Sequence, residues 1–317
     1  MQEQKLFQVT KPGVLTSFQD LGRTGYQQYG VPVSGAMDQV ALQIANILTG
    51  NPRGTACLEV TLIGPELVVT SPTPITAAIT GASLEPKRNS KPLPMWQSVR
   101  LYPGDRLTFG RHQAGVRAYI AVAGGFQAPE YFQSKSTDVK SGFGRPLEKG
   151  QSITGFPINA KPGIGLTSAE RPVYNKSITV SVIEGPHTGA FTQEGLDRFY
   201  NTIHIVDANS NRMGYKLISK PITQKDGVSI WSDAVPFGGI QVPKNGAPII
   251  LMADRQTTGG YPRIGTVMTA DLPKLAQLVP KGEIRFQPIP VEAAQEHTRQ
   301  LETYLHNLET FYQNGIC

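Results

Sequence analysis

The chain has 317 residues, of which 39% are hydrophobic and 17% are charged. This length is typical of two domains of roughly 150 residues each. Thirty basic against twenty-four acidic residues leave a net charge of +6, but the basic residues are scattered in short pairs. That distribution argues against nucleic-acid binding. No stretch approaches the roughly 18 apolar residues of a membrane span, and no signal peptide is visible. We therefore expect a cytoplasmic protein with no membrane partner.

Two cysteines are present, Cys57 and Cys317, and neither has the spacing of a metal-binding motif. The histidines are dispersed along the chain. We expect no disulfide framework, no structural zinc and no other metal site.

Short β-branched and aromatic runs bounded by glycine and proline predict strands along the whole chain. They lie at 66–82, 99–110, 115–125, 177–185, 202–211, 227–233 and 247–254. Helical signals are few and cover 36–51, 269–279 and 290–312. The pattern predicts a mostly β protein with a few helices, barrel-like in architecture.

Each predicted helix has a recognisable boundary or face. The first has Gly50 as a C-terminal stop, and the second has Thr269 or Asp271 as a possible cap. The apolar face of the third includes Ala294, Leu301, Leu305, Leu308 and Tyr312.

A polar segment rich in glycine and proline, residues 147–177, is typical of a linker. We therefore predict an N-terminal domain over residues 1–172 and a C-terminal domain, with the C-terminal helix, over residues 173–317.

Two segments resemble each other: "LTSFQDLGRTGYQQYGV" (15–31) and "LMADRQTTGGYPRIGT" (251–266). When Tyr26 is aligned with Tyr261, the glycines around them coincide. Each copy then reads as a strand, a Gly-Tyr loop and a helix opened by Asp38 or Asp271. We interpret this as an internal duplication that brings both loops to one cleft about a pseudo-twofold axis. Chance similarity is the alternative, because Gly-Tyr is a common turn dipeptide.

The residue types in these loops suit ligand binding. Glycine-rich turns expose backbone N–H groups that stabilise an oxyanion. Arg255 can hold a carboxylate in a bidentate geometry, and a tyrosine offers a stacking face and a donor. In the alternative interpretation, Arg255 pairs with Asp254 or Asp20 in a buried structural network.

Five motifs resemble the allophanate hydrolase subunit 2 family. They are residues 17–38 ("SFQDLGRTGYQQYGVPVSGAMD"), 184–187 ("EGPH"), 209–217 ("NSNRMGYKL"), 234–243 ("AVPFGGIQVP") and 251–267. That family includes the carboxyltransferase region of urea carboxylase and the C subunit of bacterial ATP-dependent 5-oxoprolinase. The resemblance extends from about Val9 to Pro288.

The resemblance implies two tandem cyclophilin-like β-barrel domains related by duplication. It also implies an enzyme complex with the A and B subunits of 5-oxoprolinase, of which the B subunit resembles a sporulation-kinase inhibitor. Such a complex opens the lactam 5-oxo-L-proline to L-glutamate with hydrolysis of ATP. Carried over by position, the site includes Asp20, His187, Asp254, Arg255 and Tyr261 as catalytic residues. The substrate-binding residues implied are Gln19, Arg23, Tyr26, Arg212, Tyr215, Gln256 and Thr257.

Three motifs of related enzymes are absent from the sequence. A biotinyl-lysine motif, a phosphate-binding Gly-Lys-Ser/Thr loop and a serine-hydrolase elbow do not occur. We expect no covalently bound cofactor, and we expect ATP to be used by the complex. Biotin would act only in trans, under the alternative of a carboxyltransferase acting on urea or a related amide. A further alternative is a regulatory protein that binds and counteracts a histidine-kinase inhibitor.

Several candidate residues have a structural interpretation beside the functional one. His187 either acts as an acid or base or bonds the backbone in a tight turn. Arg212 either clamps an anion or pairs with Asp207 or Asp233. If Asp20 and Asp254 face each other across a cleft, their repulsion favours a shared proton.

The polar segment of residues 130–150 is the last candidate for a part of the site. It is either a mobile flap over a pocket or a surface loop.

Overall fold

The computed structural model describes residues 2–313, and this part of the chain divides into two compact units. The first consists of residues 2–23, 34–174 and 304–313, and the second of residues 24–33 and 175–303. The predicted boundary at residue 172 is close to the change of unit between residues 174 and 175. The prediction of two contiguous domains places residues 24–33 with the first unit and residues 304–313 with the second, whereas in the structure each segment belongs to the other unit.

The first unit contains two antiparallel sheets and a helix. Its elements are β1 (Gln4–Lys11), β2 (Leu15–Gln19), α1 (Gln39–Thr49), β3 (Cys57–Thr61), β4 (Glu66–Val69), β5 (Ile75–Ser83), β6 (Lys87–Arg88), β7 (Lys91–Pro92), β8 (Ser98–Leu101), β9 (Arg106–Thr108), β10 (Ala114–Val122), β11 (Phe126–Gln127) and β12 (Ser152–Gly155). The seven-stranded sheet has the order β11-β12-β1-β4-β9-β6-β7, and the five-stranded sheet has the order β2-β3-β10-β5-β8.

The second unit contains a closed barrel. Its elements are β13 (Ser177–Glu184), α2 (Gln193–Asn201), β14 (His204–Val206), β15 (Gly214–Ile218), β16 (Asp233–Ala234), β17 (Gly239–Gln241), β18 (Ile249–Leu251), β19 (Thr258–Gly259), β20 (Arg263–Val267), α3 (Leu272–Ala276), β21 (Glu283–Pro288) and the start of α4 (Val291–Gln313). The barrel order is β13-β20-β17-β18-β15-β14-β21, and β16 pairs with β19 in a separate ladder.

Inward-facing apolar side chains of both sheets form the core of the first unit. Phe126 is central to it, with its ring centroid 6.5 Å from that of Phe7 and 5.8 Å from that of Phe18. Strands β5 and β10 are buried along almost their whole length, which explains why continuous runs of β-branched and other apolar residues identified them. The predicted fold class, mostly β with a few helices, is confirmed; the tandem cyclophilin-like duplication stays a prediction.

Helix α1 has the predicted boundaries. The Asp38 side chain accepts a hydrogen bond from the Ala41 N–H at 2.9 Å, and Gly50 ends the helix in the left-handed conformation at φ 74°. The residues at helical spacing are buried: Met37, Ala41, Ile44, Ala45 and Leu48. In α4, Ala294, Leu305 and Leu308 are buried as predicted.

Helix α3 has the predicted N-cap residue without the predicted capping bond. Asp271 occupies the N-cap position, but its side chain makes no capping bond. The carboxylate accepts from the Ser181 N–H at 2.8 Å and pairs with Lys274. It therefore joins α3 to the barrel strand β13.

Two sequence predictions are wrong in detail. Residues 227–233 form no strand except at Asp233, where β16 begins, and Trp231 there is 94% exposed. The predicted linker includes β12, which pairs with β1. The adjacent β-branched residues Ile153 and Thr154 lie in this strand, with the Ile153 side chain buried, despite the glycines and prolines around it.

The two Gly-Tyr segments also differ locally. Gly30 lies in an exposed turn at φ 77°, whereas its aligned partner Gly265 lies inside β20. The second copy therefore has a barrel strand between its loop and its helix.

In residues 2–313, no helix combines the length and the apolar character that crossing a membrane requires.

Candidate functional site

Two loops of the second unit lie side by side where the barrel strands β15 and β18 meet. The Met252 N–H donates to the Met213 carbonyl at 2.9 Å, and the Asp254 N–H donates to the Arg212 carbonyl at 2.8 Å. These bonds continue the β15–β18 ladder beyond its last pair, Gly214 with Leu251. Arg212 and Asp254, predicted from separate motifs, are thereby brought together.

The side chains of Arg212 and Asp254 form a bidentate ion pair. Arg212 Nε lies 2.7 Å from Asp254 Oδ2, and Nη2 lies 2.8 Å from Oδ1. Each side chain is only 11% exposed. The carboxylate partner of Arg212 is thus Asp254, and not Asp207 or Asp233 as the structural alternative supposed.

Arg255 lies next to this pair and keeps part of its guanidinium available. Its Nε donates to the Val235 carbonyl at 3.0 Å and its Nη1 to the Met252 carbonyl at 3.5 Å, and its charge lies over the Phe237 ring, 5.5 Å from the centroid. No described residue accepts a hydrogen bond from its Nη2. Burial lowers the pKa of Arg255 to about 10, and the Asp254 carboxylate opposes the shift. The guanidinium stays charged at neutral pH.

The local charge of these three residues is +1, because the Asp254 carboxylate is already paired with Arg212. Arg255 is therefore a partly desolvated cation with a free donor, an arrangement that suits a carboxylate or phosphate.

Strand β16 contacts a second basic side chain near the loop, that of Arg263 in β20. Arg263 Nη1 donates to the Ala234 carbonyl at 2.7 Å, and its Nη2 lies 3.6 Å from Asp233 Oδ2. The Arg263 N–H donates to His187 Nδ1 at 3.2 Å. With Nδ1 accepting, neutral His187 carries its proton on Nε2. This backbone contact agrees with the tight-turn interpretation of His187. Its Nε2 has no hydrogen-bond partner among the described residues.

The remaining predicted residues of the second unit differ in accessibility. Tyr215 is buried at 3% exposure, whereas Tyr261 is 50% exposed. Gln256 is exposed and Thr257 is half-buried, with its carbonyl accepting from the Val235 N–H at 3.1 Å. Tyr26 is half-buried and precedes a short turn within residues 24–33.

In the first unit, Asp20 is the centre of a hydrogen-bond network. Its carboxylate accepts from the Gly22 and Lys135 N–H groups at 2.8 and 2.7 Å. The hydroxyls of Ser134 and Ser136 also donate to it. Four donors from two segments of chain thus fix this nearly buried carboxylate.

Arg23 binds the same loop from beside Asp20. It is 1% exposed, and it donates to the Tyr131 carbonyl at 3.3 Å and to the Ser136 carbonyl. Its charge lies 4.9 Å from the centroid of the Phe143 ring. Residues 134 and 136–138 are buried. This part of the 130–150 segment is anchored, which disagrees with a flap that moves as one piece.

Gln19 is completely buried beneath that loop. Its Nε2 donates to the Thr137 carbonyl at 3.0 Å and to the Ser17 hydroxyl at 3.1 Å. Within residues 2–313, its Oε1 has no hydrogen-bond partner.

A buried polar network of the first unit was missed by sequence reasoning. The Tyr119 hydroxyl donates to Glu59 Oε2 at 2.8 Å and accepts from the Asp38 N–H at 2.8 Å. Arg117 Nε lies 3.9 Å from Glu59 Oε1. Burial, with the Glu59 charge adding, raises the pKa of Tyr119 well above its usual value, so the hydroxyl remains a donor. A charged residue inside an apolar strand run, as in "CLEVT", was the available signal.

In the part of the chain that the structure describes, no three histidine, cysteine or acidic residues group as metal ligands would. Cys57 is buried and free, and Cys317 lies outside the described residues.

Three similarities place the chain among known proteins. It is 35% identical to the C subunit of 5-oxoprolinase from Escherichia coli (strain K12) over 316 residues, which is 95% of this chain and 99% of that protein. The urea carboxylase of Kluyveromyces lactis superposes with a TM-score of 0.88 at 28% identity, over 97% of this chain and 29% of that one. The structure of TTHA0988 superposes with a TM-score of 0.81 at 30% identity, over 89% of this chain. This chain corresponds to 55% of the length of TTHA0988.

A model of the family described as "Carboxyltransferase domain, subdomain A and B" matches residues 29–288. That range includes the Arg212–Asp254 pair and Arg255. With this match and the end-to-end similarity to the E. coli protein, the chain belongs to the carboxyltransferase domain, subdomain A and B, family.

Proposed function

We propose that this chain acts as the C subunit of an ATP-dependent 5-oxoprolinase, which opens 5-oxo-L-proline to L-glutamate together with the A and B subunits. The observation that supports this most is the 35% identity to the C subunit of the E. coli enzyme over 99% of that protein. A similarity of that extent leaves almost no part of the relative without a counterpart here.

Arg255 is the residue that we propose binds the substrate. 5-Oxoproline carries one carboxylate beside its lactam ring, and Arg255 offers a charged donor that no described residue occupies. The bidentate pair of Arg212 and Asp254 fixes the loop on which Arg255 lies. Binding of the carboxylate would then orient the ring amide relative to the rest of the site.

The other predicted catalytic residues differ in how accessible their side chains are to such a substrate. His187 has Nε2 without a partner among the described residues, and the half-exposed Tyr261 carries a hydroxyl donor. Both suit proton transfer to or from the ring amide. Asp254 uses both carboxylate oxygens for Arg212, so we propose that it positions the loop. Asp20 we propose to be a positioning residue for the loop that it anchors.

The test is glutamate release from 5-oxoproline and ATP by the three purified proteins of the complex, with each omitted in turn. We expect activity only with all three. Arg255→Ala should lower kcat/KM by about ten- to a hundredfold, because a charge-assisted hydrogen bond contributes roughly 1.5–3 kcal/mol. Arg285→Ala is the matched control, since Arg285 is an exposed arginine of strand β21 in the same unit.

Two results would contradict the proposal. Activity that persists without this chain would show that the chain is not a required subunit of the enzyme. Full dependence on the chain with no effect of Arg255→Ala would keep the chain in the enzyme and reject the substrate-binding role of Arg255.

A carboxyltransferase function is the second candidate, and the fold supports it. The superposition on K. lactis urea carboxylase reaches a TM-score of 0.88 over 97% of this chain. In that case the chain would transfer a carboxyl group to urea or a related amide from a carboxylated biotin carried by another protein. Incubation with carboxylated biotin carrier and urea distinguishes the two, since only a carboxyltransferase consumes the carrier's carboxyl group.

A further inference from the structure

The first unit has a cavity of about 680 Å³ that none of the predicted site residues lines. It lies where the end of β5, the β6–β7 hairpin and the segment before residue 175 meet. Leu93, Met95 and Pro172 supply apolar walls, and Trp96, Lys87 and Arg171 supply donors. A cavity of this size that is mostly apolar, with a few convergent polar groups, is typical of a small-molecule site.

Trp96 is a buried residue of the cavity with a strained backbone. It is 5% exposed and has a φ of 60°, which is a genuine outlier for a bulky side chain. Its backbone is held from both sides, because its N–H donates to the Ile79 carbonyl at 2.7 Å and its carbonyl accepts from the Leu166 N–H at 2.9 Å. Strain that the surrounding structure maintains in this way is concentrated at ligand sites. The indole N–H has no hydrogen-bond partner among residues 2–313.

Two cationic side chains at the cavity keep donors without a carboxylate acceptor. The Lys87 ammonium group makes no hydrogen bond or ion pair with any described residue, although its charge acts on the Glu85 carboxylate. Arg171 donates Nε and Nη2 to the Leu166 carbonyl at 3.2 Å, and no carboxylate of the described chain pairs with it. Both therefore retain donors for a ligand.

The one acidic residue of the lining is already engaged. Glu85 accepts from the Arg111 N–H at 3.1 Å and from the Gln113 side chain. These bonds, the Arg111 N–H first, lower the pKa of Glu85, and the charges of Lys87 and Arg111 add to the shift. Glu85 therefore stays ionised, with its hydrogen bonds directed at residues 111–113. With Lys87 and Arg171 positive and Glu85 negative, the lining has a formal charge of +1.

We propose that this cavity binds a flat, largely apolar organic anion. The apolar body packs among Leu93, Met95 and Trp96, and the anionic group accepts hydrogen bonds from the Trp96 indole N–H and from Lys87. Every lining residue belongs to the first unit, whereas Arg255 belongs to the second, and the two sites share no residue. The proposal therefore stands or falls independently of the 5-oxoprolinase function.

The chain provides its own reporter for the test, because it contains only two tryptophans. Trp231→Phe leaves Trp96 as the sole one. The full-length variant is titrated with 1-anilinonaphthalene-8-sulfonate and with N-phenyl-1-naphthylamine, which has the same rings without the charge. We expect saturable energy transfer from Trp96 to the dye, with the anion bound about tenfold more tightly than the neutral dye.

The variants Lys87→Met and Lys91→Met then separate the site from general surface charge. Both lysines lie on the β6–β7 hairpin, but only Lys87 lines the cavity. Lys87→Met should weaken anion binding about tenfold and leave the neutral dye unaffected, whereas Lys91→Met should change neither. Arg171→Gln provides a second variant should Lys87→Met alter the far-ultraviolet circular dichroism. Absence of transfer from Trp96, equal affinity for both dyes, or equal losses in the two lysine variants would overturn the proposal.

Discussion

The Asp254 carboxylate has a structural role in the loop that carries Arg255. Both of its oxygens are bonded to Arg212, and the pair is 11% exposed on each side. A geometry of two parallel N–H···O bonds gives direction as well as charge compensation. The pair therefore determines where the next residue, Arg255, presents its guanidinium.

We expect Asp254→Asn to lower the free energy of unfolding by about 2–3 kcal/mol, between the values for exposed and fully buried pairs. The loss arises because Arg212 keeps a nearly buried charge without its partner. Urea denaturation measures it. The double variant Arg212→Met with Asp254→Leu should lose less than the sum of the single changes. Strict additivity would show that the two side chains do not stabilise each other.

His204 predicts a pH dependence of stability. It is fully buried between the rings of Phe199 and Phe286, with Nε2 donating to the Phe199 carbonyl at 2.9 Å. Its Nδ1 has no partner among the described residues. Burial lowers the pKa of His204 below its usual value, and the bond to the Phe199 carbonyl opposes the shift. The folded protein therefore holds this ring neutral where the unfolded chain protonates it.

Because the folded-state pKa is the lower one, stability is lost as the pH falls through the unfolded value of about 6.5. Between pH 7.5 and 5.5, the wild-type protein should lose about 1 kcal/mol more of its unfolding free energy than His204→Gln. Glutamine keeps a donor for the Phe199 carbonyl but does not titrate. Identical losses in the two proteins, measured by urea denaturation, would contradict this account.

At the scale of the elements, the loop of residues 131–143 is anchored by the side chain of Asp20. Asp20 accepts from two backbone N–H groups and two serine hydroxyls, and three of those donors belong to the loop. We expect Asp20→Ala to lower the free energy of unfolding by roughly 3–5 kcal/mol, because a buried hydrogen-bonded charge is removed from its partners. Amide hydrogen exchange at residues 134–138 should become faster in step.

Asp138→Ala is a control for this change, since Asp138 is a buried acid of the same loop whose carboxylate accepts a single bond, from the Ser141 N–H. A loss of activity in Asp20→Ala without any loss of stability or protection would instead indicate that Asp20 takes part in the chemistry.

At the scale of the whole molecule, the seven strand runs predicted from local patterns overlap fewer than half of the twenty-one described strands, whereas the boundaries of α1 were predicted. The local patterns failed at residues 227–233, where the composition favours a strand but Trp231 finds no neighbouring strand to cover it. They also failed at the network of Glu59 and Tyr119, which lie sixty residues apart in sequence. Periodicity shows which face of a strand is buried, but not which distant polar group will meet it there.

The candidate site was predicted only as a set of motifs. The resemblance named Arg212 and Asp254, but the pairing between them depends on the register of β15 against β18. That register is a property of the closed barrel, which no single motif contains. The proximity of Arg263 to His187 has the same origin, because β20 and β13 are neighbours in the barrel.

The ten residues from Thr24 to Val33 belong to the second unit, although the ribosome makes them before most of the first. A nascent chain that has emerged as far as residue 174 therefore holds a piece whose own unit has not yet been synthesised. The order of synthesis therefore differs from the order of assembly. The first unit has to fold while residues 24–33, which interrupt its sequence, still lack the rest of the second unit. For the same reason, no single cut in the chain yields two fragments that each carry a whole unit.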